Sequence, residues 1–240
     1  MPAKKSAAIY VSVDMEGCAD VVHWDEVRPS ASAEYRRACA TMTAEVNAVA
    51  DAAFAAGAAR VVVNDSHSVM RNLDLTALDP RIVAITGASK ASYMLEGIDG
   101  GFDAAFFIGY HGAIGDADAV MGHTYSPRVI FECRLGGEPI GEMTINAALA
   151  GAHGVPVALV SGDRTTLGEA ERVLPWAARV QTKTSIGYFA AECLSPALVR
   201  DRLRAGVADA MARLGSMQAF VLPKPTTMYF CTIGRPFAAS

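Results

Sequence analysis

The sequence predicts an α/β fold: a mixed, mostly parallel sheet covered by helices on both faces, with an inserted β-hairpin. Two observations carry this expectation. Apolar runs of strand length alternate with helix-length amphipathic stretches along most of the chain, the pattern of βα units around a parallel sheet. One segment breaks that rhythm with a Gly-rich turn between two short strand-like runs, which marks the hairpin. The expected domain is a single unit over residues 1–240, with two subdomains meeting near residues 112–142 as the alternative division.

The elements follow in order. Residues 8–13 form an apolar strand, and a loop rich in charge and containing Pro29 follows it. Ser30 or Ser32 can cap a long helix that reaches about residue 56, with Gly57 at its C-terminal end. Residues 60–64 are β-branched and read as the second strand. Residues 82–86, after the Asp79-Pro80 turn, make a weaker strand. Residues 104–110 make a buried strand, and the Phe106-Phe107 pair suits a position covered on both sides. Residues 128–135 and 138–140, joined by Gly136-Gly137, form the hairpin. A helix over residues 142–152 stops at Gly154 and Pro156. A strand at 155–160, a helix near 166–174, a strand near 179–184 and a long helix near 196–214 complete the pattern.

Composition narrows the function. The chain has 240 residues, 52% of them hydrophobic and 19% charged, so a sizeable core is available and disorder is not expected. A net charge of −4 with no run of Lys and Arg argues against a nucleic-acid partner. The N-terminal apolar run is too short to span a membrane and has no small-residue cleavage site after it. The alanine-rich stretch 44–59 is interrupted by Glu45, Asp51 and Gly57. No membrane partner is expected. Five scattered cysteines without a C-x-x-C pair fit reduced thiols and a cytoplasmic location. The chain lacks the phosphate-binding G-x-x-x-x-G-K-[ST] loop, the G-x-G-x-x-G turn, the G-x-S-x-G elbow and H-E-x-x-H.

What remains is a set of ligand-type residues at the ends of apolar runs. Asp14 and Glu16 end the first strand, His67 closes Asn64-Asp65-Ser66-His67 after the second, and His111 follows Phe106–Tyr110. Carboxylates and imidazoles that reach one sheet edge from separate strands are what a hydrolytic metal site needs. Two carboxylates two residues apart repel each other unless a cation or a shared proton intervenes. Asp65 is a candidate to fix the His67 tautomer. Gly109 and Gly112 beside His111 allow a bound group to approach closely. Glu142, alone, reads as a helix-terminal charge and becomes a ligand candidate only in company. Asn146 lies one helical turn further on the same face and is a candidate substrate-binding residue. His123 lies in a loop suited to a catalytic group. His23 and His153 read as surface or packing residues, and Met42, Met143 and Met211 as core filler. Asp163 is a weaker supporting candidate, and one of Arg71, Arg128 and Arg164 could grip a substrate carboxylate.

Taken together, Ser12-Val13-Asp14-Met15-Glu16-Gly17, Val63-Asn64-Asp65-Ser66-His67-Ser68, Gly109-Tyr110-His111, Met121-Gly122-His123 and Gly141-Glu142 resemble the zinc-dependent D-aminopeptidases, self-compartmentalising peptidases often described as dipeptide-transport proteins. Met94-Leu95-Glu96-Gly97 and Ser161-Gly162-Asp163 are also similar, and the likeness runs over residues 8–215. The resemblance implies two zinc ions per chain. Asp14 would bridge them, Glu16 and His67 would serve one, and His111 and Glu142 the other, with His123 as the catalytic histidine. It implies hydrolysis of the N-terminal residue, a D-amino acid, from short peptides or amides by metal-activated water. It also implies a homo-oligomer, a decamer around a central channel. Cys18-Ala19-Asp20 departs from the family pattern and makes Cys18 a candidate extra ligand. The end of the chain, with Pro223-Lys224-Pro225 and Gly234-Arg235-Pro236, is shorter than the family's. A dinuclear phosphoesterase and a non-catalytic dipeptide-binding or transport-associated protein are the alternatives.

Overall fold

Seven strands in the order β3-β2-β1-β4-β7-β8-β9 make the main sheet of the computed structural model, which describes residues 6–30 and 32–232. Its parallel strands are β1 (Ala7–Val13), β2 (Ala58–Asp65), β3 (Val83–Ile85, at one edge), β4 (Ala104–Tyr110), β7 (Val157–Asp163) and β8 (Ala178–Gly187). β9 (Ala190–Cys193) closes one edge antiparallel to β8. The expected hairpin is present as β5 (Ile130–Leu135) and β6 (Glu138–Pro139). Gly136 and Gly137 turn it with φ of 60° and 94°, a conformation that costs glycine little. β10 (Met228–Thr232) pairs with the free side of β5 to make a separate three-stranded sheet. β9 and β10 were not expected. Both are short and mostly exposed, so neither shows the alternation that betrays a half-buried strand. Gly234-Arg235-Pro236 lies outside the described residues.

Alternate residues of the central strands feed two cores. Ile9, Val11, Val13, Val63, Phe106 and Ile108 pack on one face with Met42, Val46 and Val49 of α2 (Ala33–Ala55) and with Val199, Leu203 and Val207 of α5 (Pro196–Ala212). Tyr10, Val62, Phe107 and Val160 pack on the other with Met143 and Ala147 of α3 (Glu142–Ala152) and Ala170 of α4 (Arg164–Val173). Phe106 and Phe107 therefore face opposite layers, as a doubly covered strand requires. Ser32 is the cap of α2, its hydroxyl accepting from the Tyr35 N–H, and Gly57 follows the helix with φ of 98°. A further short helix, α1 (Trp24–Val27), is capped by His23. At four residues it is too short to leave a periodic signal.

The topology leaves one crevice at the carboxyl edge. From β1 the chain moves outward to β2 and β3, then returns to place β4 on the other side of β1. Ligands bind at such a switch point because neighbouring loops diverge there. The loop after β1 is pressed into it. The Asp14 N–H donates to the Ile108 carbonyl and the Gly17 N–H to the Gly109 carbonyl, both at 2.8 Å. A Cβ on Gly17 would lie 1.8 Å from the Tyr110 oxygen, and one on Gly109 would lie 2.3 Å from the Asp14 oxygen. The close approach at Gly109 is thus made by the protein's own backbone. Gly112 is likewise crowded by Thr165 of α4. The expectation that these glycines make room for a bound group is corrected accordingly.

Candidate metal centre

Asp14, Glu16, His67, His111, His123 and Glu142 meet at this crevice, and none is more than 6% exposed. They arrive from the ends of β1, β2 and β4, from the loop after β4 and from the first turn of α3.

Asp14 divides its two oxygens. Oδ1 lies 3.0 Å from His67 Nδ1, which is also 3.0 Å from Glu16 Oε2. Oδ2 lies 3.4 Å from His111 Nε2, which is 3.5 Å from Glu142 Oε1. One carboxylate thus faces two separate pairs of donors. His123 Nε2 stands further off, 3.9 Å from both Glu16 Oε1 and Glu142 Oε1. Its ring lies nearly parallel to that of His111, with centroids 4.1 Å apart.

The outer nitrogens fix the tautomers. His67 Nε2–H donates to the Val27 carbonyl at 2.7 Å, His111 Nδ1–H to the Gly112 carbonyl at 3.0 Å and His123 Nδ1–H to the Met121 carbonyl at 2.9 Å. A carbonyl can only accept, so in each ring the other nitrogen is left to take a proton or a cation. This is the arrangement usual behind metal-binding histidines. The Tyr125 N–H orients Glu142 by donating to its Oε1 at 2.7 Å. Glu169 secures the start of α3 by accepting from the Gly141 N–H and the Thr144 hydroxyl.

Burial and mutual charge compete across the cluster. Burial alone would raise the Asp14 carboxyl, but the neighbouring His111 and His67 imidazoles outweigh it and hold the carboxyl below its usual range. Glu16 and Glu142 are lowered against the same penalty, chiefly by His67 and His111 respectively. Burial would depress His67 and His111, yet the charge of Glu16 on one and the Asp14 and Glu142 carboxylates on the other raise both. His123 goes the opposite way, lowered by burial and then by the charge of His111. Two stacked imidazoles are thereby driven apart in basicity.

Two atoms mark where something else belongs. Glu16 Oε2 and His111 Nε2 are buried and, although 3.0–3.5 Å from their neighbours, make no well-formed hydrogen bond, which is costly unless a cation compensates. They fall one in each of the two donor pairs. Donor atoms of Asp14, Glu16 and His111 lie within 4.8 Å of one another, as do those of His111, His123 and Glu142. Imidazole nitrogen and carboxylate oxygen are the donors zinc accepts, so the residues present fit such an ion.

Above the donors opens a cavity of about 200 Å³. Asp14, Glu16, His67, His123 and Glu142 line it, whereas His111 sits behind His123. Trp24, Tyr93, Tyr125, Arg28 and Arg128 are also part of its wall. Trp24 meets the His123 ring edge-on at 5.2 Å. Of the three arginines flagged from sequence, Arg128 reaches the cavity.

Other expectations resolve differently. Asn146 is buried behind the donors, where its amide donates to the Tyr110 hydroxyl and the Met94 sulfur; it is absent from the cavity wall. The Tyr110 hydroxyl in turn bonds Ser12, so Asn146 belongs to a polar layer beneath the site. Asp65 does not touch the His67 ring. It accepts from the backbone of Asn72 and Leu73 and so pins the loop that carries His67, while the Val27 carbonyl fixes the tautomer. Cys18 points away from the donors and bonds the Asp14 carbonyl, and burial raises its thiol well above the ordinary value. Asp163 caps α4. His23 is the α1 cap, and His153 ends α3 on the surface.

Sequence reading missed Lys183. It is fully buried in the middle of β8, and its ammonium donates to the Glu16 carbonyl at 2.6 Å and to the Val21 carbonyl. The neighbouring Thr182 hydroxyl donates to the Gly17 carbonyl at 2.7 Å. Its strand mixes polar and apolar residues, and lysine is rarely fully buried, so nothing local marked it.

Comparison with known proteins places the chain in a family. The family model described as D-aminopeptidase matches residues 8–238. A D-aminopeptidase of Bacillus subtilis (strain 168) is 39% identical over 192 residues, covering 79% of this chain and 68% of its own. The solved structure of the Zn-dependent D-aminopeptidase DppA from Bacillus subtilis, described as a self-compartmentalizing protease, superposes with a TM-score of 0.89 at 33% identity. It covers 95% of this chain and 82% of that one. With the family model spanning nearly the whole chain, the protein belongs to the D-aminopeptidase family of enzymes.

Proposed function

We propose that the protein is a dinuclear zinc aminopeptidase that removes an N-terminal D-amino acid from short peptides or amides. The observation that carries this reading is the split of Asp14 between two donor pairs, each holding one buried atom that makes no well-formed hydrogen bond. Asp14 would be shared by both ions, Glu16 and His67 would hold one, and His111 and Glu142 the other. Bound zinc supplies Lewis acidity, polarising a carbonyl and letting water ionise near neutral pH. The chain's own groups do the rest. A substrate amino terminus in its neutral form is a nitrogen donor that such a centre would accept, which would select a free N-terminus. His123 lines the cavity with Nε2 free to take a proton, because its Nδ1–H is committed to Met121. It accepts a proton as water attacks and returns it to the departing amine. Trp24 holds its ring in place.

The test is release of N-terminal residues from matched D- and L-aminoacyl amides and dipeptides by zinc-loaded and chelator-stripped protein, with zinc counted per chain. The expected result is zinc-dependent turnover, a D preference and about two zinc ions per chain. Bound zinc with cleavage of phosphate esters alone would favour a phosphoesterase. Failure to bind zinc would overturn the site.

Lys183 should matter to that site without touching substrate. Lys183→Met removes the donor beneath the Glu16 and Val21 carbonyls. Zinc affinity is expected to fall by about 10–100-fold, as when groups that orient ligands are lost, and the melting temperature should fall with it. Unchanged zinc titration would show that the loop holds its shape unaided.

The homo-oligomer, a decamer by analogy, is part of the same proposal. DppA is self-compartmentalizing, and Phe131, Tyr229 and Phe230 of the three-stranded sheet are exposed here. No helix among the described residues is long and apolar enough to cross a membrane.

A further inference from the structure

The cavity above the donors has the proposed metal-binding groups at its buried end and two arginines at its exposed end. Its buried end is the Asp14, Glu16 and Glu142 carboxylates, and its exposed wall includes Arg28 and Arg128. Neither arginine has a carboxylate partner among the described residues, whereas Arg37, Arg81, Arg134 and Arg213 are each paired with one. Arg28 is held instead over the Trp24 ring, 5.6 Å from its centroid, and Trp24 abuts His123. The guanidinium is therefore tied to the reaction centre through one aromatic ring. The volume, about 200 Å³, is below the roughly 300–1,000 Å³ of sites that enclose drug-sized ligands. Two residues of extended peptide span at most about 7 Å.

Resting on the aminopeptidase reading, we infer that Arg28 and Arg128 bind the free C-terminal carboxylate of a dipeptide whose amino end lies at the donor cluster. The two arginines are then specificity-determining residues. Their planar donor sets match a carboxylate in a way a solvated surface charge does not need to. The arrangement sorts substrates by length and by the state of their far end. A dipeptide satisfies both ends of the cavity at once, while an aminoacyl amide leaves the arginines without a partner.

The experiment compares a D,D-dipeptide with its C-terminal amide on zinc-loaded enzyme. The wild type is expected to favour the free acid by about 10–100-fold in kcat/KM, the range of hydrogen bonds to charged groups. The difference should lie in KM, because a remote anchor binds ground and transition states alike. In the Arg28→Gln, Arg128→Gln double variant the acid-to-amide ratio should fall to about one. Arg164→Gln, outside the cavity, should keep the wild-type ratio. An equal preference in the wild type, or an unchanged ratio in the double variant, overturns the inference and leaves the aminopeptidase reading standing. No turnover of either substrate by zinc-loaded wild type sinks that reading and the inference with it.

Discussion

Replacing His123 with alanine is expected to lower kcat by about 10²–10³, the typical loss when one group that serves the transition state is removed, while zinc content stays at the wild-type level. The expectation comes from position. His123 Nε2 stands 3.9 Å from Glu16 and from Glu142, further than the distances within either donor pair, and its ring faces the cavity while His111 lies behind it. A group so placed can work on substrate without being needed to hold a cation. Losing its ring also removes the surface against which His111 and Trp24 pack. A His123→Gln variant, closer in volume, therefore belongs beside it. If both variants keep zinc and lose turnover equally, the imidazole's proton chemistry is the cause. Loss of zinc in both would place His123 among the ligands, a role its grouping with His111 and Glu142 permits. Full activity in either would remove it from the mechanism.

Asp14→Asn should be the most damaging single change. Asparagine keeps the shape and one carbonyl oxygen but loses the charge that both donor pairs share. Zinc should be lost from both sites together, and turnover should fall further than the roughly 10–100-fold expected when a group that only orients a ligand is removed. Elemental analysis after dialysis reads the first effect and dipeptide hydrolysis the second. By contrast, Glu16→Gln touches one pair and should weaken one ion more than the other. Retention of two zinc ions by Asp14→Asn would refute the shared role.

Much of this site was legible because it follows strand geometry. Parallel strands are buried on both faces, so their apolar runs are conspicuous and the first polar residues beyond them are conspicuous too. Asp14, Glu16, His67 and His111 stand out on that ground. Glu142 was found through a helix start and needed company to mean anything. Depth along a helix is another matter. Periodicity correctly set Asn146 on the Glu142 face, but one turn further in it lies beside Tyr110 and Met94 instead of the cavity. Contacts made between distant segments leave no local pattern. Lys183 reaches the Glu16 carbonyl across 167 positions, and the Val27 carbonyl meets His67 across 40. Trp24 and Val27 sit on a four-residue helix that periodicity cannot register. The edge strands β9 and β10 were missed because exposed pairing needs no apolar face.

The place of β1 in the middle of the sheet also bears on how the protein comes into being. Its neighbours on the two sides are β2 and β4, and β4 begins at Ala104, well after β1 ends at Val13. A ribosome adds about 5–20 residues per second, so on the order of 5–20 seconds separates the emergence of the two partners. Through that interval a fully apolar strand has one side without a mate, and its terminal carboxylate has half its eventual company. The nascent chain is thus expected to lean on chaperones until β4 arrives, and the proposed set of donors is complete only after Glu142 has left the tunnel.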